Sequence, residues 1–351
     1  MKHLVRHDHP FRIFFISGCI TLAALLGVGY YFGWSKAFIA LVLILVEITF
    51  SFENAIINAK VLSTMSQFWQ RMFMTVGIFI AVFGMRLVFP IVIVMITAGL
   101  GAADVIQLAL NQPDKYALEL HEAHASIAAF GGMFLLMLCL HFFFDTKRTI
   151  RWIDIIEKPL QDMSRWWLYT AVSVVINLGI AVLPWNEHQS QTVLAGFMGI
   201  GTYLAIHGLA ELFARHQKKP GKVAVQTGMA AFMSFLYLEV LDASFSFDGV
   251  IGAFAVTKEV LIIAIGLGVG ALWVRSLTLF MVRRHVLHAY RYLEHGAHYT
   301  IGVLAAVLLA GIFFDIPEII AGIFGLIIVG SSIVSSITAS NQGVKRAGNA
   351  H

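Results

Sequence analysis

Long apolar runs broken only by short polar turns constrain this chain more than any other feature. Stretches such as Ile78–Phe83 are continuously apolar, and about 20 such residues cross a bilayer as one helix. Segments of this kind lie at 11–33, 37–62, 72–97, 124–144, 166–184, 192–213, 226–253, 260–282, 297–314 and 318–338. The first follows a basic start, but its apolar run is too long for a signal peptide and no small-residue cleavage site follows, so it reads as a span. An outer-membrane barrel would alternate apolar and polar residues instead. Of 351 residues, 59% are hydrophobic and 13% charged, against about 45–50% and about 25% in soluble domains. That leaves too little polar surface for a body in water, and it excludes soluble, fibrous, disordered and disulfide-rich secreted classes. Cys19 and Cys139 both sit in apolar stretches, with no zinc or redox spacing. The expected fold is all-α: a polytopic membrane helical bundle of about 10 transmembrane helices.

Basic residues test the count, because cytoplasmic loops concentrate Lys and Arg. They fall at Lys2 and Arg6; at Lys60 and Arg71; at Lys147, Arg148, Arg151, Lys158 and Arg165; at Arg215, Lys218, Lys219 and Lys222; at Arg283, Arg284 and Arg291; and at Lys345 and Arg346. The intervening loops carry only Lys36, Lys115 and Lys258. Both termini are therefore expected on the cytoplasmic side of the plasma (inner) membrane of a bacterium. The chain divides into a first half, 1–184, a second half, 192–338, and a polar tail, 339–351. Segment 145–165, which mixes charges with Trp152 and Ile153–Ile156, reads as an interfacial amphipathic helix. Trp34, Trp152, Trp166, Trp167 and Trp185 fall at span ends, as an interface belt requires.

Two spans carry acids, and they carry them alike. The second contains Glu47-Ile-Thr-Phe-Ser-Phe-Glu53-Asn54, and the seventh contains Asp242-Ala-Ser-Phe-Ser-Phe-Asp248-Gly249. When the Phe-Ser-Phe triplets are superposed, one acid precedes each by three residues and another follows it directly. Glu239 adds a third acid to the seventh span. Five spans apart, the two motifs enter the bilayer antiparallel, the signature of an inverted-topology repeat with its site near the midplane. Each motif span is followed by a span holding one arginine, Arg86 or Arg275.

An ionised side chain at a helix centre costs roughly 2.5–3.5 kcal/mol on insertion scales. Five acids left unpaired would cost on the order of 10 kcal/mol or more. Arg86 and Arg275 balance two of them, and a bound cation, protons or both must cover the rest. Carboxylates with Asn, Ser or Thr oxygens suit hard ions such as Mn²⁺, Mg²⁺ or Ca²⁺. A regular helix does not place Glu53 beside Glu47 or Asp248 beside Asp242. Local unwinding around the triplets, eased at Gly249 and Gly252, is expected to let them converge. The competing interpretation makes the acids purely structural partners of the two arginines.

These motifs resemble the paired acidic motifs of the TerC family of integral membrane proteins, which is named for tellurium resistance and grouped with the lysine-exporter superfamily. The resemblance covers the motif spans and the helices after them. It implies inverted helical repeats and metal-ion transport, with Mn²⁺ export foremost. It carries a cation-binding role onto Glu47, Glu53, Asn54, Glu239, Asp242 and Asp248. This chain departs from the family pattern at Glu53-Asn54, where Asp-Asn is usual, and at Asp248-Gly249, where Asp-Ser is usual. It also has more spans than the family norm, which suggests a separate branch. The expected function is secondary transport of a divalent cation, Mn²⁺ before Ca²⁺ or Mg²⁺, with protons alternating on the same carboxylates. The partners are the bilayer and the transported ion, with a homo-oligomer left open, and nothing points to nucleic acid. No cofactor is expected to be permanently bound. A non-transporting membrane scaffold in a metal or tellurite stress response is the alternative. An intramembrane hydrolase ranks last, because neither a nucleophile motif nor a zinc-protease pattern is present.

Other polar groups lie off the motifs. His121 and His124, at the start of the fourth span, suit a vestibule or a polar helix start. His207 and Glu211 lie four apart and suit a proton route or a helix-face pair. Asn58 and Asn177 read as interhelical hydrogen bonders, with Asn58 also a candidate ligand. Gly29-x₃-Gly33 and Gly266-x₃-Gly270 permit close helix crossing.

Overall fold

The computed structural model describes residues 10–165, 167–217, 225–314 and 316–348. Lys2, Arg6, Trp166, Lys218, Lys219 and Lys222 lie outside the described residues, as do the side chains of Asp248, Arg215, Lys345 and Arg346.

Among the described residues the chain is helical throughout, with a single β-bridge between Met65 and Gln226. The elements are α1 (Pro10–Phe32), α2 (Trp34–Phe50), α3 (Phe52–Leu62) and α4 (Gln67–Met72), then two π-helical stretches, Phe73–Gly77 and Ile80–Val88, which continue into α5 (Phe89–Ala98). Next come α6 (Ala102–Asn111), α7 (Pro113–Glu122), α8 (His124–Phe144), α9 (Asp154–Asp162), α10 (Leu168–Ala181) and α11 (Gln189–Gln217). The chain ends with α12 (Gly228–Val256), α13 (Val260–Arg283), α14 (Val286–Ala289), α15 (Leu293–Ala310) and α16 (Glu318–Gly348).

Eight of these helical segments are long and apolar enough to cross a membrane, and α2 with α3 adds a ninth when the bent pair is counted as one span. The protein is an all-α, multi-pass membrane bundle. The expected span at 166–184 holds only the 14-residue α10. At 1.5 Å per residue that is about 21 Å, short of a hydrocarbon core of about 30 Å. The polar tail is not separate: α16 runs on to Gly348.

Burial sorts the helices into layers. α8, α12, α13 and α15 are largely enclosed, whereas α1, α11 and α16 bury only about a quarter of their spanning residues. Exposed Leu22, Phe197 and Ile327 face where lipid would lie. Trp34, Trp167 and Trp185 are exposed near helix ends, as an interface belt requires. Cys19 and Cys139 are free thiols.

Small residues set how the central helices cross. Gly266 packs against Ala40 and Leu43, and Gly270 packs against Ile44 and Glu47, so α13 runs parallel to α2. A Cβ at either glycine would strike α2, as the small-residue spacing anticipates. Gly29-x₃-Gly33 does something else. Gly33 has φ 92°, a conformation open to glycine at little cost, and it marks the break between α1 and α2.

Candidate functional site

The acids of both motifs are buried in the centre of the bundle. Glu47, Glu53, Glu239 and Asp242 are each no more than 6% exposed, and Arg86 and Arg275 are 3% and 2% exposed. Asn54 Nδ2 donates to Asp242 Oδ1 at 2.8 Å, and Gly249 lies beside the Glu47 carboxylate. The pairings 54 with 242 and 47 with 249 make α12 antiparallel to the α2–α3 pair, the relation expected of the two motifs.

The two copies differ locally. Between α2 and α3 the chain bends by 54° at Ser51, whose hydroxyl donates to Glu47 Oε1 at 3.1 Å. The expected break in the second copy does not form, and α12 passes unbroken through its Phe-Ser-Phe triplet. There the Ser246 hydroxyl donates back to the Asp242 carbonyl at 2.5 Å, an i−4 bond that leaves the helix continuous. Gly249 and Gly252 permit a break but do not force one.

Each arginine serves its own motif and touches the other half. Arg86 Nη2 donates to Glu47 Oε1 at 2.5 Å, and Nη1 lies 3.8 Å from Asp242 Oδ2. Nη1 also donates to the Ala81 carbonyl five residues back, at 3.1 Å, within the π-helical stretch. Such widened turns recur at functional sites. Arg275 grips Glu239 with both Nη atoms, each at 3.1 Å, and reaches Asp242 Oδ2 at 3.2 Å. It also donates to the Phe73 carbonyl and stacks over the Phe73 ring at 4.1 Å. Gly77 makes this possible, because a Cβ there would collide with Arg275 and Glu239. Asp242 is thus the hub, contacted by Asn54, Arg275 and, at longer range, Arg86.

Glu53 stands apart. Among the described residues no lysine, arginine or histidine pairs with it. With Glu47, Ser51, Phe245 and Gly249 it lines a cavity of about 50 Å³, closed by Leu304, Ala321 and Gly322. Two further oxygens nearby in sequence lack partners. Asn54 Oδ1 and Asn58 Oδ1 are buried without a hydrogen bond. Asp242 orients the Asn54 amide, because an ionised carboxylate only accepts. These hard oxygens match the chemistry expected of a divalent-cation site. No three Asp, Glu, His or Cys side chains among the described residues converge closely enough to hold a metal as they stand; Glu47, Glu239 and Asp242 are each engaged with arginine. The backbone of Asp248 lies in α12, but its side chain is outside the described residues.

The remaining sequence candidates line two larger cavities. His121 and His124, with stacked rings 6.0 Å apart, border one of about 500 Å³ that shares Val46, Phe50, Gly249 and Leu267 with the acid cavity. His207 and Glu211 border one of about 460 Å³ at the other end of the bundle. There the structure adds residues the sequence did not single out. His141 Nδ1 lies 2.6 Å from Tyr203 Oη, the His141 and His207 rings are 4.5 Å apart, and His298 stacks on Phe142. The i, i+4 spacing of Tyr203 and His207 was the available signal. Asn177 joins α10 to α11 through the Val193 carbonyl at 3.2 Å.

Outside the spans, Glu157 on α9 is fully buried and accepts from Trp152 N, Ile153 N and Tyr299 Oη at 3.2, 3.2 and 3.3 Å. Arg148 Nη2 and His295 Nε2 lie 3.4 Å from its other oxygen. Burial works to raise its pKa, but the hydrogen bond and charge of His295 and the two backbone N–H groups outweigh that and hold it below the usual carboxylate range.

Residues 52–343 match the family described as "Protein of unknown function (DUF475)". The chain belongs to the DUF475 family. No curated protein and no solved structure matches it. The DUF475 match takes in Glu53, Asn54, Arg86, Glu239, Asp242, Asp248 and Arg275, and leaves α1, α2 and Glu47 outside.

Proposed function

We propose that this DUF475 protein is a secondary transporter of divalent metal cations, with Mn²⁺ export as its activity. The carrying observation is the charge imbalance at the bundle centre. Four described buried acids meet two arginines, and Glu53, beside the acid cavity, has no cationic partner among the described residues. An uncompensated buried carboxylate is too costly to persist without a counter-ion or a proton. A Mn²⁺ ion with Glu47, Glu53 and the oxygens of Asn54 and Asn58 would supply the missing charge. Asp248 would join from α12, as the TerC resemblance implies. Arg86 would then release Glu47, and in the empty site it takes the ion's place. A cavity of about 50 Å³ has room for a small cation and a few waters. Protons exchanging with the ion on the same acids would couple its movement to a gradient.

Glu239 favours a second, structural role. Its bidentate grip on Arg275 ties α12 to α13, as a scaffold would need. The two functions separate in one experiment. Glu53→Gln and Asp248→Asn are expected to abolish Mn²⁺ efflux from loaded cells or vesicles at unchanged protein level. Wild-type efflux in both variants would overturn the proposal.

A further inference from the structure

Three helices repeat one register between the acid cavity and the histidine-lined cavity. On α3, Glu53 lines the first and Val61 the second, with Ile57 one turn from each. On α12 the same positions are Phe245, Tyr237 and, between them, Leu241. On α15 they are Leu304, His298 and, between them, Ile301. Steps of three or four keep each set on one helix face. The middle residues Ile57, Leu241 and Ile301 are 2%, 0% and 0% exposed and belong to one apolar cluster. Polar groups stand on either side of this layer: Glu47, Glu53 and Ser51 above, His141, His207, Glu211 and Asp145 below. The three side chains of the layer carry none; the buried polar neighbours Asn58, Asp242 and Thr300 adjoin them in sequence, about a quarter turn away on α3, α12 and α15. Toward His121 and His124, by contrast, Val46, Phe50, Gly249 and Leu267 line both the acid cavity and the larger one, so a single shared wall, with no further layer behind it, divides them.

We infer that the histidine-lined cavity is the second mouth of a path through the acid site, and that Ile57, Leu241 and Ile301 are the gate between them. This rests on the transport proposed above. An apolar constriction closes a path by excluding water and charge, and it opens when its side chains part. The mouth beyond it takes a hydrated divalent cation or protons, and the carboxylates of Asp145 and Glu211 and the rings of His141 and His207 border it. The Lys60 ammonium at its rim is held by Glu294 at 2.8 Å.

Thiol access tests the gate without any ion flux. In a Cys19→Ser, Cys139→Ser background, single cysteines are placed as Val46→Cys on the shared wall and Tyr237→Cys beyond the gate. Ag⁺ is added to one side of sealed, oriented vesicles in chloride-free buffer, and surviving thiols are counted after solubilisation. Val46→Cys is expected to react only from the His121–His124 face and Tyr237→Cys only from the other. Combining Val46→Cys with Ile57→Ala and Leu241→Ala is expected to open reaction from the second face at least tenfold, while Ile57→Val, which folds with nearly the same volume, leaves it closed. Reaction of both single cysteines from the same face, no reaction of Tyr237→Cys, or a trimmed gate that still shields Val46→Cys would overturn the inference. If this labelling pattern holds while manganese flux is absent, the gate stands and the choice of cation falls.

Discussion

The two copies of the acidic motif share a sequence pattern but not a physical state. In the second, α12 is continuous, and Glu239 and Asp242 are held by Arg275 and Asn54. In the first, the helix bends at Ser51, Glu47 has one arginine, and Glu53 has no cationic partner among the described residues. A carboxylate locked by a bidentate arginine contributes to holding helices together. A carboxylate left beside a cavity contributes charge that something else must meet. The pseudo-twofold therefore pairs a half locked by arginine with a half whose second acid is not.

Breaking the anchor should have the largest effect. Arg275→Gln takes both donors from the Glu239 carboxylate and one from Asp242, and is expected to cost about 3–5 kcal/mol, read as a lower unfolding temperature in detergent. The equivalent Arg86→Gln is expected to cost less, because Arg86 has one close carboxylate, Glu47, and only a 3.8 Å approach to Asp242. Equal losses would erase the distinction between the halves.

Next comes the packing that brings the halves together. Gly270→Leu forces a side chain into Ile44 and Glu47 and is expected to cost about 1–3 kcal/mol, the usual penalty for overpacking. Normal stability in this variant would mean that α13 does not lie against α2.

Glu53→Gln has the opposite sign. It removes a buried charge that has no cationic partner among the described residues, so stability is expected to rise by about 1 kcal/mol while transport is lost, the exchange typical of a functional site. A fall in stability would show that Glu53 is an anchor like Glu239.

The smallest effect belongs to Glu157, a paired carboxylate outside the spans and a control for both motifs. Its pKa is lower when folded than when unfolded, so its contribution is present above the unfolded value of about 4.3 and fades as pH falls through the folded one. Exchange at the Trp152 and Ile153 amides, corrected for intrinsic rate, is expected to rise severalfold below about pH 4. A flat profile down to pH 2 would contradict the clasp.

Hydropathy made the spans legible because each helix must bury its own backbone in lipid. The short α10 escaped that test, since an apolar run records composition and not where Ala181 ends a helix. The two acid–arginine groups were legible from charge alone. Which copy would bend was not. The glycines at 249 and 252 pointed to α12, but the outcome turned on where one hydroxyl went: Ser246 to a backbone carbonyl, Ser51 to a carboxylate. The histidine-lined cavity was half legible. His207 and Glu211 share a helix, whereas His141 and His298 arrive from α8 and α15, and only tertiary packing brings them together.

Calorimetric titration of Mn²⁺ into the purified protein, beside Glu53→Gln and Glu239→Gln, tests the division of labour most directly. A saturable site in the wild type that weakens roughly 100-fold or vanishes in Glu53→Gln, and persists within about tenfold in Glu239→Gln, is the predicted result. Heat of binding that is absent from the wild type, or unchanged by Glu53→Gln, would contradict it.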